Sequence, residues 1–156
     1  MLIQRAKVVL AKDYRNVLVE DFEEKYEGAD ALNKPGKVVE VMNKVFRLSE
    51  MAEEYVYLVC MTTANRPIRF FEISHGTCSM APAGIREIFI RVLLCGAAGM
   101  ILVHNHPSGD CVPSADDMRL TKKVQEAAKL MEIKFCDHII IGRDSYYSFK
   151  EQDGMG

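Results

Sequence analysis

GMILVHNHPSGDCVPSADD, running from Gly99 to Asp117, is the stretch on which the reading of this chain turns. Its opening, Gly99 to His104, is apolar up to the histidine and predicts a short buried strand. His104 to Pro113 gathers proline, glycine, asparagine and aspartate, which predicts a loop. Ser114 then precedes a helix predicted over Ala115–Met131, with Met118, Thr121, Val124, Ala128 and Met131 facing inward. Residues two apart on an extended chain point the same way, with Cα atoms roughly 6.5 Å apart. The imidazoles of His104 and His106 can therefore converge on one ion at about 2.0–2.1 Å each. The loop turns back, and Asp117 in the first helical turn can supply an oxygen ligand. Three protein ligands leave the fourth tetrahedral position to water, as in catalytic zinc sites.

A plainer reading competes for part of this pattern. Ser114-Ala115-Asp116-Asp117 fits a capping box, and an aspartate at a helix N-terminus is favourable without a metal. Capping and ligation are compatible, and the pair of histidines at strand spacing has no such explanation. Other HxH chemistries fit poorly. Ser108 stands where a metallo-β-lactamase pattern wants an acid, and neither HExxH nor the deaminase pair HxE and PCxxC occurs. A barrel amidohydrolase needs far more chain than 156 residues.

Working outward, Phe135–Gly142 and Tyr146–Phe149 predict two closing strands joined by Arg143-Asp144-Ser145. Upstream, Pro82–Cys95 predicts a helix with Ile85, Ile88, Phe89, Val92 and Leu93 on one face and Gly96 at its stop. Tyr55–Thr62 (YVYLVCMT) predicts a buried strand, paired with Pro67–Ser74 across a turn at Ala64-Asn65-Arg66. Asn33-Lys34-Pro35-Gly36 predicts a turn into a helix whose apolar face is Val38, Val39, Met42, Val45 and Phe46. In residues 1–34, Val8–Ala11 and Val17–Val19 predict short strands, and the acidic run Glu20–Glu27 a solvated face or loop. Helices alternating with a central sheet imply an α/β sandwich in one domain.

Composition narrows the function. Apolar residues make up 49% and charged residues 27%, as in an ordinary soluble globular protein. A formal net charge of −2 argues against a broadly basic nucleic-acid surface. The N-terminus is charged throughout and is not a secretory signal, and the stretch Ile88–Val103 is too interrupted to span a membrane. Five widely spaced cysteines, with no CxxC pair, indicate neither a disulfide framework nor a thiolate zinc cluster. The expected location is the cytoplasm. The oligomeric state is left open by these patterns.

The string His-x-His, seven residues, Ser, two residues, Asp resembles the JAMM motif of the MPN/JAB metalloprotease fold. The words around it (His104 to Gly109, Pro113-Ser114, Asp117, Thr121, Asp137-His138 and Ser148-Phe149) resemble the RadC branch of that family. The resemblance covers about residues 35–150, leaving 1–34 as an N-terminal extension and 151–156 as a tail. It implies a JAB/MPN-like (cytidine deaminase-like) curved mixed sheet flanked by helices, with zinc at the sheet edge on His104, His106 and Asp117. It implies a glutamate acting as general acid/base at the start of the first core strand. Glu54 fits that place, with Glu53 as rival and Glu72 as a further candidate. It gives Ser114 the role of helping to hold the oxyanion.

The activity so implied is zinc-dependent hydrolysis of a peptide or isopeptide bond in an unknown protein or peptide. The alternative is a RadC-type accessory protein in DNA repair or mobile-element biology, acting through partners without proteolysis. Two departures bear on partners. Asn105 stands where ubiquitin-directed members carry serine or threonine, and residues 1–34 carry no helix-hairpin-helix pattern, which argues against direct DNA binding. Of the other polar residues, His138 reads as a structural or supporting histidine and His75 as a turn histidine. Ser108 and Gly109 can line the site or simply make a turn. Cys111 lies inside the metal loop, within reach of zinc if the loop folds back far enough.

Overall fold

The computed structural model describes residues 1–28, 30–77 and 83–153. Its centre is built from the two most apolar segments of the chain. β3 (Tyr55–Met61) and β5 (Gly99–Asn105) lie side by side, antiparallel, and all of β5 is buried. Strands covered on both faces read as continuous apolar runs, and these two do. On one side β3 pairs with β4 (Pro67–His75), which runs parallel to β1 (Leu2–Leu10), which pairs with β2 (Asn16–Lys25). On the other side β5 runs parallel to β6 (Lys134–Ile141), which pairs with β7 (Tyr146–Ser148). The result is a seven-stranded mixed sheet of order β2-β1-β4-β3-β5-β6-β7. The N-terminal segment thus adds a hairpin to the sheet.

Helices cover both faces. α1 (Pro35–Phe46) starts with Pro at its first helical position and packs Val38, Val41, Met42 and Phe46 against Tyr57, Val59, Ile101, Val103 and Ile139. α2 (Ile85–Leu94) and α3 (Ala115–Met131) cover the opposite face, where Ile88, Val92, Val124 and Ala128 meet Val56, Leu58, Cys60, Met100 and Leu102. Side chains alternate across a strand, so parity sorts the residues of β3 and β5 between the two faces. Glu54 shares parity with Val56 and Leu58. His104 and His106 share it with Leu102. All three therefore face the α2/α3 side, and Val56 is the register partner of His104. A short helix, α4 (Phe149–Asp153), follows β7. Among the described residues no helix is long and apolar enough to cross a membrane.

Some expectations hold only in part and others change, among them the inward place of Leu93, which is 53% exposed. The acidic run after Val19 is a solvated face, one of the two alternatives expected for it, carried as strand to Lys25 and not as loop. Its charges are answered from neighbouring strands: Asp21 by Arg5 at 3.0 Å, Glu23 by Gln4 at 2.8 Å and Glu20 by Arg69. Met118 and Met131 are 56% and 47% exposed, because α3 turns Asp117, Thr121, Val124 and Ala128 to the sheet. Phe149 starts α4 and does not end β7, since Ser148 Oγ accepts from Glu151 N at 3.1 Å and caps a new turn. The helix expected from Pro82 begins at Ile85 within the described residues, and position 82 itself lies outside them. Its stop at Gly96 is observed, with φ of 61°.

Candidate metal centre

β5 carries His104 at its end and hands on directly to the loop that holds His106. That loop is pinned to the turn between β6 and β7: His106 N donates to Ile141 O at 2.9 Å, and Arg143 N to Gly109 O at 3.1 Å. The approach is close enough that a Cβ on Gly142 would stand 2.5 Å from Gly109 O, so only glycine fits there. Gly109 itself turns the loop at φ of 90°. The loop returns to Ser114, which closes a capping box: its Oγ accepts from Asp117 N at 3.1 Å, and its N–H donates to Asp117 Oδ2 at 2.9 Å.

These constraints bring four side chains together. His104 Nε2 lies 3.1 Å from His106 Nε2 and 3.1 Å from Asp117 Oδ1, and His106 Nε2 lies 3.0 Å from Asp117 Oδ2. Glu54 Oε1 is 3.7 Å from His104 Nε2. The ligating atoms of Glu54, His104, His106 and Asp117 all lie within 4.8 Å of one another, so this group can hold a metal ion. Glu54, His104 and Asp117 are buried, at 7%, 1% and 7% exposure, and His106 is half-buried.

The donor set fits a metal on chemical grounds. His106 Nδ1 stands 2.9 Å from Asp110 O. A carbonyl only accepts, so Nδ1 carries the proton and Nε2 presents a lone pair. That lone pair faces a second imidazole nitrogen and a carboxylate. An array of bare acceptors in a buried place calls for a cation. Tetrahedral ligands at about 2.0–2.2 Å from an ion stand about 3.3–3.6 Å apart. The observed separations of 3.0–3.1 Å are within a few tenths of an ångström of that.

The same proximity sets the titration. Burial disfavours the Asp117 carboxylate, but in the metal-free cluster an imidazolium at His104 or His106 outweighs it and holds the Asp117 pKa well below the usual carboxylate range, in the place a metal cation would otherwise take. Burial also opposes charge on His106, and Asp117 reverses that, raising the His106 pKa. Glu54 moves the other way: burial raises its pKa, only partly offset by the two histidines. Opposed shifts on neighbouring carboxyls, one kept ionised and one eased toward the neutral form, suit one acid to holding charge and the other to moving a proton.

The neighbouring candidates fall elsewhere. Glu53 turns away and meets His75 Nε2 at 3.2 Å, and Glu72 is exposed on β4. Cys111 Sγ lies 3.3 Å from Ser145 Oγ and is not among the clustered donors, so the idea that its thiol reaches the metal is not supported by this arrangement. Asn105 is buried on the other parity, where its Oδ1 accepts from Tyr55 N at 2.8 Å and its Nδ2 donates to Glu53 O at 3.0 Å. These two bonds bracket Glu54, just past the last β3–β5 register pair. His138, fully buried on β6, contacts His104 Nδ1 at 2.9 Å. The clamp by Asn105 had no clear sequence mark. Only the register of β3 against β5 shows that Asn105 stands opposite Tyr55.

A mixed sheet flanked by helices, with an HxH strand end and a helix-borne aspartate on one face, is the arrangement of a JAB/MPN-like domain. The RadC-like JAB domain model matches residues 32–155, and the chain belongs to that family. It is 42% identical over 108 residues to a "UPF0758 protein" of Actinobacillus succinogenes, covering 69% of this chain and 49% of that one. It is 36% identical over 126 residues to a UPF0758 protein of Pelobacter propionicus, covering 81% and 54%. A third, from Geotalea uraniireducens, is 35% identical over 131 residues, covering 84% and 57%. The chain spans about half the length of the curated relatives it matches.

Proposed function

We propose that this domain is a zinc-dependent hydrolase of the JAMM metallopeptidase type, cleaving a peptide or isopeptide bond in a protein or peptide. The observation that carries the reading is the convergence of His104, His106 and Asp117 within 3.0–3.1 Å contacts, beside a buried Glu54. His104, His106 and Asp117 would hold the ion. Zinc in a three-ligand site supplies a water acidic near neutral pH and a Lewis acid for a carbonyl oxygen.

The chain's own residues do the rest. Glu54, 3.7 Å from His104 and with its pKa raised, takes a proton from the attacking water on its carboxylate and delivers it to the leaving amine. Asn105 fixes the backbone on both sides of Glu54 and so fixes where that carboxylate points. Ser114 Oγ already accepts from Asp117 N, which leaves its hydroxyl proton to be donated to the developing oxyanion. Protein substrates suit the net charge of −2 better than nucleic acid does.

The test is cleavage of an unbiased peptide library by zinc-loaded protein, read by mass spectrometry, with Glu54→Gln as control. Cleavage by the parent and not by the variant supports the reading. Absence of turnover, with tight capture of a protein partner, would replace it with the non-proteolytic accessory role.

A further inference from the structure

Behind His104 lies a chain of buried groups that the proposed reaction does not use. Thr121 Oγ1 is 2.8 Å from Asp117 O and 2.6 Å from His138 Nδ1. His138 Nε2 is 2.9 Å from His104 Nδ1. Proton counting gives this chain one direction. The Asp117 carbonyl can only accept, so the single Thr121 proton goes there. Thr121 Oγ1 must then accept from His138, which places the His138 proton on Nδ1. The neutral ring is left bare at Nε2 and accepts from His104 Nδ1–H. That leaves His104 Nε2 as a lone pair, aimed into the cluster of Glu54, His106 and Asp117.

The reverse ordering would put a proton on His104 Nε2, where a metal needs an electron pair. What opposes it is the Asp117 carbonyl, which holds the Thr121 proton, and the surroundings of His138 offer no third partner that would relieve this. The ring is fully buried, and the Phe149 ring stacks on it at 5.0 Å between centroids and 9° between planes. Phe149 is held there by Asp137, whose carboxylate accepts from His138 N at 2.8 Å, Ser148 Oγ at 2.5 Å and Lys150 N at 3.0 Å. Fully buried, the His138 ring nitrogens meet Thr121 and His104 as their partners among the described residues.

We propose that Thr121, His138 and Phe149 are positioning residues that fix the tautomer of His104, so that the β7–α4 segment sets the affinity of the metal centre. This rests on the metal reading above but not on hydrolysis. It is tested with Thr121→Val, which keeps shape and removes the hydroxyl, Thr121→Ser, which keeps the hydroxyl, and Phe149→Leu. Zinc affinity is measured by competition with a chromophoric chelator. Long-range ¹H–¹⁵N spectra of the metal-free parent report which ring nitrogens carry protons.

Loss of a supporting partner of this kind typically costs about 10–100-fold in metal affinity. Thr121→Val should fall in that range, Thr121→Ser should recover the parent value, and Phe149→Leu should weaken binding in the same direction. The spectra should show His104 and His138 both protonated at Nδ1. Parent-like affinity in Thr121→Val, or a His104 protonated at Nε2, overturns the inference. If Thr121→Val fails to fold, the spectra of the parent still decide it. A parent that binds no zinc at all would instead overturn the metal reading, and the tautomer result would stand apart from it.

Discussion

Asn105→Ala should destabilise the domain strongly while leaving the metal ligands in place. Asn105 is 1% exposed and spends both ends of its amide on backbone, at 2.8 Å to Tyr55 N and 3.0 Å to Glu53 O. Each hydrogen bond contributes about 1 kcal/mol, and leaving a buried backbone group unpaired costs about 1–3 kcal/mol. Tyr55 is half-buried and Glu53 exposed, so water relieves part of the loss on the Glu53 side. The expected cost is about 2–4 kcal/mol. For a domain of this size that corresponds to a fall of about 4–16 °C in Tm. The measurement is thermal and urea unfolding in excess chelator, so that zinc does not mask the change. Asn105→Asp should be at least as costly, since it sets an acceptor against the Glu53 carbonyl and buries a charge. A Tm for Asn105→Ala within about 2 °C of the parent would show that the two bonds contribute nothing. Asn105 would then not be what aligns Glu54.

Glu54→Gln should retain parent zinc content and lose about 10²–10⁴-fold in any hydrolytic rate, with Glu53→Gln nearly silent, as zinc analysis and initial rates will show. The acid limb of that rate, set by protonation of the Glu54 carboxylate, should vanish in the variant. In metal-free protein the raised His106 pKa contributes stability that is full below about 6.5 and lost as pH rises through the folded value. Zinc-loaded protein should show the opposite slope in pH-resolved melting, because the metal needs bare imidazoles. Cys111→Ser should leave zinc affinity unchanged, since its sulfur faces Ser145.

The fold was legible where one element decides its own burial. β3 and β5 are apolar throughout and occupy the centre of the sheet, and Gly96 stops its helix as expected. The edge was less legible, because the acidic half of β2 is held by Arg5, Gln4 and Arg69, partners distant in sequence that no local pattern names. Helical periodicity gave the stripe of α3 but not its ends, where Met118 and Met131 run past the sheet into solvent. At the site, the spacing of His104, His106 and Asp117 was visible because each lies on a short continuous stretch. The choice between Glu54 and Glu53 is a matter of parity with Val56, which continuing the strand alternation backward would have shown. His138 meets its partners across 34 and 17 residues, so its place behind His104 follows only from the β5–β6 register and the seating of α3.

Zinc stoichiometry and affinity, measured on the purified parent and on His106→Ala, decide whether His104, His106 and Asp117 form a metal centre. About one tightly bound zinc per chain is expected in the parent, as for a single three-ligand site, with a sharp loss of binding in the variant, whose fold the distant core should preserve. A parent that takes up no zinc at saturating supply, or a His106→Ala protein that retains it in full, would contradict the metal centre.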